Sequence, residues 1–102
     1  MAYATQTFHE KAVVVFNLES ELSAEELSSI SKEIVSICQS APAIEFFAIN
    51  IASRSLEFKM LRPLTLLGTE LKSKKKKLFL LAESKSIHHM IISEGLSGVI
   101  QP

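Results

Sequence analysis

The chain has 102 residues, of which 47% are hydrophobic, and its eleven basic residues balance eleven acidic ones. This length suits one domain with one core, and the apolar content excludes a disordered chain. The zero net charge gives no global field that would attract nucleic acid or an anionic membrane, and no run approaches the ~20 apolar residues that span a bilayer.

Two short segments near the N-terminus are typical of strands. In the segment from Tyr3 to Phe8, the side chains of Tyr3, Thr5 and Thr7 alternate with those of Ala4, Gln6 and Phe8. Residues 12–16 form a β-branched run that predicts a buried strand. We expect the two to pair as a hairpin through His9 to Lys11, although neither glycine nor asparagine marks that turn.

A first helix is predicted to begin at Ser23, whose hydroxyl can cap free N–H groups, with Glu26 at the spacing of a capping box. Its apolar face has the 3-4-3 spacing of one helical side and consists of Leu27, Ile30, Ile34 and Ile37. Pro42 ends the helix, because proline cannot continue it.

Residues 44–51 are mostly apolar on both sides, which predicts a central strand covered on both faces. Residues 52–59 have no clear period and are expected to form a loop or short strand. A second amphipathic helix follows, with Met60, Leu64, Leu67 and Leu71 on one face. Pro63 places its start at about Leu61 or Arg62, since proline is tolerated in the first turn.

The last third of the chain repeats the alternation of strand and helix. Residues 78–82 form a short apolar strand, Ser84 can cap a third helix ending near Gly95, and residues 99–100 suit a final strand. The order therefore predicts an α/β fold. We expect one domain over residues 1–102, with a small mixed, mostly parallel sheet packed with about three to four helices.

The order of elements and several local patterns resemble the STAS domain, the fold of bacterial anti-sigma factor antagonists. Residues 13–23 resemble the opening strand and turn of that family, with Ser20 where glycine is usual and Ser23 where aspartate is usual. Residues 46–51 resemble the strand that usually ends in aspartate-leucine, and residues 78–100 resemble the closing segment. The resemblance extends from about residue 12 to residue 100 and depends on order and spacing.

The resemblance implies a phosphoacceptor serine at the start of the second helix, in an aspartate-serine-serine (or threonine)-glycine motif. Counting back from Leu78 places residues 57–60 there, and counting forward from Asn50 places residues 58–61 there. Neither alignment offers a hydroxyl at the phosphoacceptor position. We therefore expect no phosphorylation at the usual site, and Ser55, the nearest upstream hydroxyl, is the candidate substitute phosphosite.

The same resemblance implies that partners bind around this turn. The predicted partner-binding residues are Ser55, Glu57, Phe58, Lys59, Met60 and Arg62. Phe58 and Met60 would form an apolar docking point beside a positive charge, since aromatic residues and methionine are enriched in interface cores. The alternative is that both side chains pack inward.

Other candidate sites are weaker. His88 and His89 are adjacent on a predicted helix, so they point about 100° apart and cannot easily hold one metal ion. The lysines at 74–77 could meet an anionic headgroup, but a solvated connection is favoured. Cys38 is expected to be a buried, inert thiol. No glycine-rich phosphate loop or nucleophile with an assignable base is present in the sequence, so we predict no catalytic residue, metal or cofactor.

The resemblance implies a non-enzymatic protein-interaction module, an anti-sigma factor antagonist-like regulator of transcription in a bacterial partner-switching or signalling system. Its partner would be an anti-sigma-like kinase or another STAS protein. Two alternatives stay open: a cytoplasmic STAS subunit of a lipid-transport ABC complex, and a STAS domain that senses a nucleotide or small ligand. A homodimer through the Tyr3 to Phe8 edge is a further alternative.

We expect neither nucleic-acid binding nor membrane insertion. The sequence lacks the pattern of a signal peptide, and the single cysteine cannot form an internal disulfide. These features predict the cytoplasm.

Overall fold

The computed structural model describes residues 3–19, 21–52, 56–83, 85 and 100–101, with the backbone alone for Phe58 and for Ile100–Gln101. The strands are β1 (Tyr3–Phe8), β2 (Val13–Leu18), β3 (Phe46–Ala52), β4 (Lys77–Ala82) and β5 (Ile100–Gln101). The helices are α1 (Ala24–Ser40) and α2 (Leu61–Ser73), and two short 3₁₀ turns occupy His9–Lys11 and Phe58–Met60.

The strands form one five-stranded sheet in the order β1-β2-β3-β4-β5. β1 is antiparallel to β2, and each of the other neighbouring pairs is parallel. The predicted α/β class, mixed mostly parallel sheet and N-terminal hairpin are therefore confirmed. The hairpin turn contains Ala12 at a φ of 55°, and its N–H donates to the carbonyl of His9 at 3.2 Å. Ala12 thus adopts the left-handed conformation that glycine or asparagine usually supplies.

Both helices begin where the sequence predicts. The N–H of Glu26 donates to Ser23 Oγ at 3.4 Å at the start of α1, and Pro63 lies in the first turn of α2. The described part of the chain contains two α-helices, so the predicted number of about three to four is not matched there. The third predicted helix falls on residues 84–95, which lie outside the described residues except for Lys85.

The end of α2 has the hydrogen bonds of a Schellman motif. The N–H of Lys76 donates to the carbonyl of Leu71 at 2.8 Å, and that of Lys75 donates to Lys72 at 3.0 Å. Lys75 has a φ of 62°, the left-handed conformation that this motif requires and that glycine adopts without strain.

The helices pack against one side of the sheet, which we call the core face. One core cluster joins Leu27, Ile30 and Ile34 of α1 with Leu64, Leu67 and Leu71 of α2 and with alternate strand residues. Those strand residues are Tyr3, Val14, Phe16, Leu18, Phe47, Ile49, Ile51, Leu78 and Leu80. Burial of each such side chain contributes about 1.5–3 kcal/mol before conformational entropy is counted.

Successive side chains of a strand point to opposite faces, so the remaining strand residues form a second face, the open face. In β3 the core-face residues are fully buried. On the open face Ala48 is buried, at 4% exposed, whereas Phe46 and Asn50 are half-buried. The expectation that this strand is covered on both faces is therefore met only in part by the described residues.

Candidate partner-binding site

The predicted partner-binding residues lie between the carboxyl end of β3 and the first turn of α2. In a parallel sheet the carboxyl ends of successive strands meet at one edge, where loops and helix starts commonly form binding sites. The sequence from Leu56 onward returns from this edge and turns into α2 through the 3₁₀ turn at Phe58–Met60.

Three apolar residues fix this turn to the core. Leu56, Met60 and Leu61 are 7%, 3% and 6% exposed, and all three belong to the core cluster. The N–H of Met60 also donates to the carbonyl of Glu57 at 2.9 Å, which closes the turn. Met60 therefore packs inward, as the second of the two interpretations expected, and it supports the turn instead of presenting an apolar docking point.

The charged residues of the predicted site face solvent. Glu57, Lys59 and Arg62 are all exposed, and we call this group the α2 entry surface. Lys59 Nζ lies 3.3 Å from Glu57 Oε2, with side chains that are 76% and 56% exposed. An ion pair this exposed contributes little to stability. Lys59 and Glu57 can therefore separate and bind charged groups of a partner at small cost.

The remaining predicted residues are only partly described. Ser55 lies outside the described residues, and the side chain of Phe58 is not described. At the start of α2, Met60 is the N-cap residue and makes no capping hydrogen bond through its side chain. The hydroxyl of Thr65, one turn further on, donates to the carbonyl of Leu61 at 2.6 Å and is half-buried.

Sequence reasoning missed a pair of asparagines that shapes the carboxyl edge. Asn50 Nδ2 donates to Asn17 Oδ1 at 2.9 Å, and Asn50 Oδ1 accepts the N–H of Ala52 at 3.0 Å. Ala52 has a φ of 53°, and the β3–β4 register shifts between Asn50 and Ala52. These bonds fix the point at which the chain leaves the sheet toward α2. The available signal was that each asparagine follows four strand residues, at the same position in β2 and β3.

The lysines at 74–77 have structural contacts. Lys76 Nζ donates to the carbonyls of Pro42 and Ile44, at 3.1 and 2.5 Å, and so connects the α2–β4 loop to the segment before β3. Lys74 Nζ lies 3.7 Å from Glu70 Oε1. Two of the four ammonium groups are thus engaged within the chain, which weakens the cluster as an anion site.

The other candidates are placed away from the α2 entry surface. Cys38 is half-buried and packs against the core cluster. His88 and His89 lie outside the described residues. Tyr3 of β1 is buried beside α1, and burial raises the pKa of its hydroxyl, with the Glu33 carboxylate as a second cause. Within the described residues, no three His, Cys, Asp or Glu side chains lie close enough to hold a metal ion.

No protein-family model matches the chain, and no curated protein matches it. None of the helices in the described part of the chain is long and apolar enough to cross a membrane.

Proposed function

We propose that this chain is a non-enzymatic protein-interaction module of the STAS type, a regulator in a bacterial partner-switching or related signalling system. Its partner, an anti-sigma-like kinase or another STAS protein, would dock on the α2 entry surface. The observation that supports this most is the combination of a buried base and exposed charges: Met60 anchors the turn, while Glu57, Lys59 and Arg62 face solvent.

This arrangement suits binding for a physical reason. Because the backbone of the turn is held by buried side chains, little ordering entropy is lost when a partner binds. Two cations beside one carboxylate favour a partner surface with excess acidic groups, which would bind Lys59 and Arg62. The proposal rests on the STAS resemblance, which depends on the order of elements along the chain; from β1 to β4 that order is β β α β α β.

Two properties follow from the absence of a hydroxyl at the expected phosphoacceptor position. Binding would not be switched by phosphorylation at the start of α2, because residues 57–62 contain no serine, threonine or tyrosine. The module would then be regulated by its concentration or by a change in its partner. Incubation with candidate kinases followed by intact-mass measurement tests this, and a stoichiometric gain of about 80 Da, one phosphate, within residues 53–65 would contradict it.

An affinity pull-down from the native cell tests the docking surface. The bait carries Lys59→Glu and Arg62→Glu, and its matched control carries Lys32→Glu and Lys72→Glu, which change the charge equally at exposed positions elsewhere. We expect the wild type and the Lys32→Glu/Lys72→Glu control to recover a kinase or a STAS protein. The Lys59→Glu/Arg62→Glu variant should lose that partner. Recovery of an ATPase with a permease would instead favour the ABC-transport alternative. Equal recovery of the partner by the test variant and its control would show that the partner does not bind the α2 entry surface.

A further inference from the structure

The open face of the sheet has two mostly apolar rows of side chains, followed by a row that contains Asn17 and Asn50. The strand registers place Phe8, Val13 and Phe46 in one row, and Val15, Ala48 and Phe79 in the next. Most of these residues, with Lys11 and Leu81, line a shallow groove of about 290 Å³ that is open to solvent. Phe8 and Leu81 are 40% and 39% exposed.

Such a face is unusual for a sheet that meets water. A sheet with one solvated face normally alternates apolar and polar residues along each strand, whereas parallel strands buried on both faces are continuously apolar. β2, β3 and β4 have apolar residues on both sides, and the rings of Phe46 and Phe79 pack at a centroid distance of 5.9 Å. Among the described residues, both helices bury their apolar sides against the core face. A contiguous apolar patch of this kind indicates an interaction surface.

The charges around the open face are separated along the strands. Lys11 and Lys77 lie at the amino ends of β2 and β4, while Glu19 and Glu83 directly follow the carboxyl ends of the same two strands. All four residues are exposed, and strand alternation assigns Lys77, Glu19 and Glu83 to the open face. Strand alternation assigns Glu45, which directly precedes β3, to the core face. The open face therefore has two lysines at one end and two glutamates at the other, about 20 Å apart for six-residue strands. Two further exposed charges lie beside these ends, Glu10 next to Lys11 and Lys85 after Glu83.

We infer that the open face is the interface of a homodimer, in which two copies pack face to face with their strands antiparallel. A two-fold axis that crosses the strands places β4 on β4 and β2 on β2, with the strand directions reversed. Lys77 of each copy then faces Glu83 of the other, and Lys11 faces Glu19. A two-fold axis along the strands would instead bring the lysine ends together. Charge complementarity therefore selects the antiparallel arrangement.

A second copy fits this face better than a small amphiphile does. Small-molecule sites bury about 70–90% of their ligand, which a shallow groove open along one side cannot do. A second sheet at about 10 Å can cover the whole face at once, with the phenylalanine, valine and leucine side chains of the two copies interdigitating. The net charge of zero means that no overall repulsion opposes the pairing.

Sedimentation of the full chain over a wide concentration range tests the dimer with four variants. Leu81→Glu places a carboxylate in the lining of the groove, and we expect it to weaken the dimer about tenfold or more. Leu66→Glu is the matched control, because Leu66 is 63% exposed on α2, which packs against the core face. Circular dichroism of each variant verifies that the fold is intact.

A charge swap tests the orientation. Lys77→Glu should weaken the dimer, because it sets two carboxylates against each other, and adding Glu83→Lys in the same chain should restore it. A stronger dimer with Lys77→Glu alone would contradict the antiparallel arrangement. A wild type that stays monomeric at all concentrations overturns the inference. So does a dimer that Leu81→Glu leaves intact, or a monomer that gains thermal stability with dodecanoate, which would make an anionic amphiphile the occupant.

Discussion

Truncation of one fully buried leucine in α2 should cost a large share of the stability of the domain. Leu64 is 0% exposed and lies in the core cluster between α2 and the sheet. Leu64→Ala removes three carbons, worth about 2.4 kcal/mol at about 0.8 kcal/mol each, and leaves a cavity that raises the expected cost to about 2–5 kcal/mol. Domains of this size are stable by about 5–15 kcal/mol. The melting temperature should therefore fall by roughly 10 °C or more.

The same helix provides the control. Leu66→Ala changes the same atoms at a side chain that is 63% exposed, so its cost should stay within about 0.5 kcal/mol. Urea unfolding followed by far-UV circular dichroism measures both, because the chain has no tryptophan. The midpoint should shift while the slope stays constant. If Leu64→Ala fails to fold, Leu64→Met, with an expected cost below about 1.5 kcal/mol, replaces it. Equal costs at positions 64 and 66 would refute the placement of α2 on the sheet.

Three further changes test local features by the same unfolding measurement. Ser23→Ala removes the helix cap and should cost about 1 kcal/mol, whereas Ser28→Ala, exposed within α1, should cost nothing; equal values would exclude the cap. Lys75→Gly should stabilise by about 0.5–1 kcal/mol, because relief of the left-handed strain exceeds the entropy glycine adds to the unfolded chain; a loss would contradict the Schellman ending. The raised pKa of Tyr3 means that stability is intact below about pH 10, where both states are protonated, and falls above it as the unfolded chain ionises first. Tyr3→Phe should flatten that alkaline fall, and an unchanged slope would count against the shift.

The features that the sequence predicted correctly depend on short-range chemistry. The Ser23 cap needs only a hydroxyl three residues before a free N–H, and Pro63 limits the start of α2 through its own ring. The hairpin could be predicted from alternation, but its turn could not be recognised, because Ala12 takes the left-handed conformation without a glycine or asparagine signal.

The features that could not be predicted depend on contacts between distant residues. The direction of Met60 is decided by the core that it meets, so the sequence left both docking and inward packing open. Lys76 belonged to a cluster that suggested a solvated connection or an anionic headgroup, but its ammonium group binds carbonyls 32 and 34 residues earlier in the chain. Asn17 and Asn50 are 33 residues apart, and only the parallel register of β2 and β3 places their side chains together.

The expectation that β3 is covered on both faces, which the described residues meet only in part, would be explained by the proposed homodimer. The two-sided apolar pattern of β3 predicted a strand covered on both faces, and the two helices of the described residues cover one. A second copy on the open face would supply the other cover, so the pattern and the fold agree in the dimer. The α2 entry surface leads into a helix on the core face, so pairing would leave it accessible on both copies. Loss of the dimer in Leu81→Glu with retained partner recovery would therefore separate the two proposals, as would loss of the partner in Lys59→Glu/Arg62→Glu with an intact dimer.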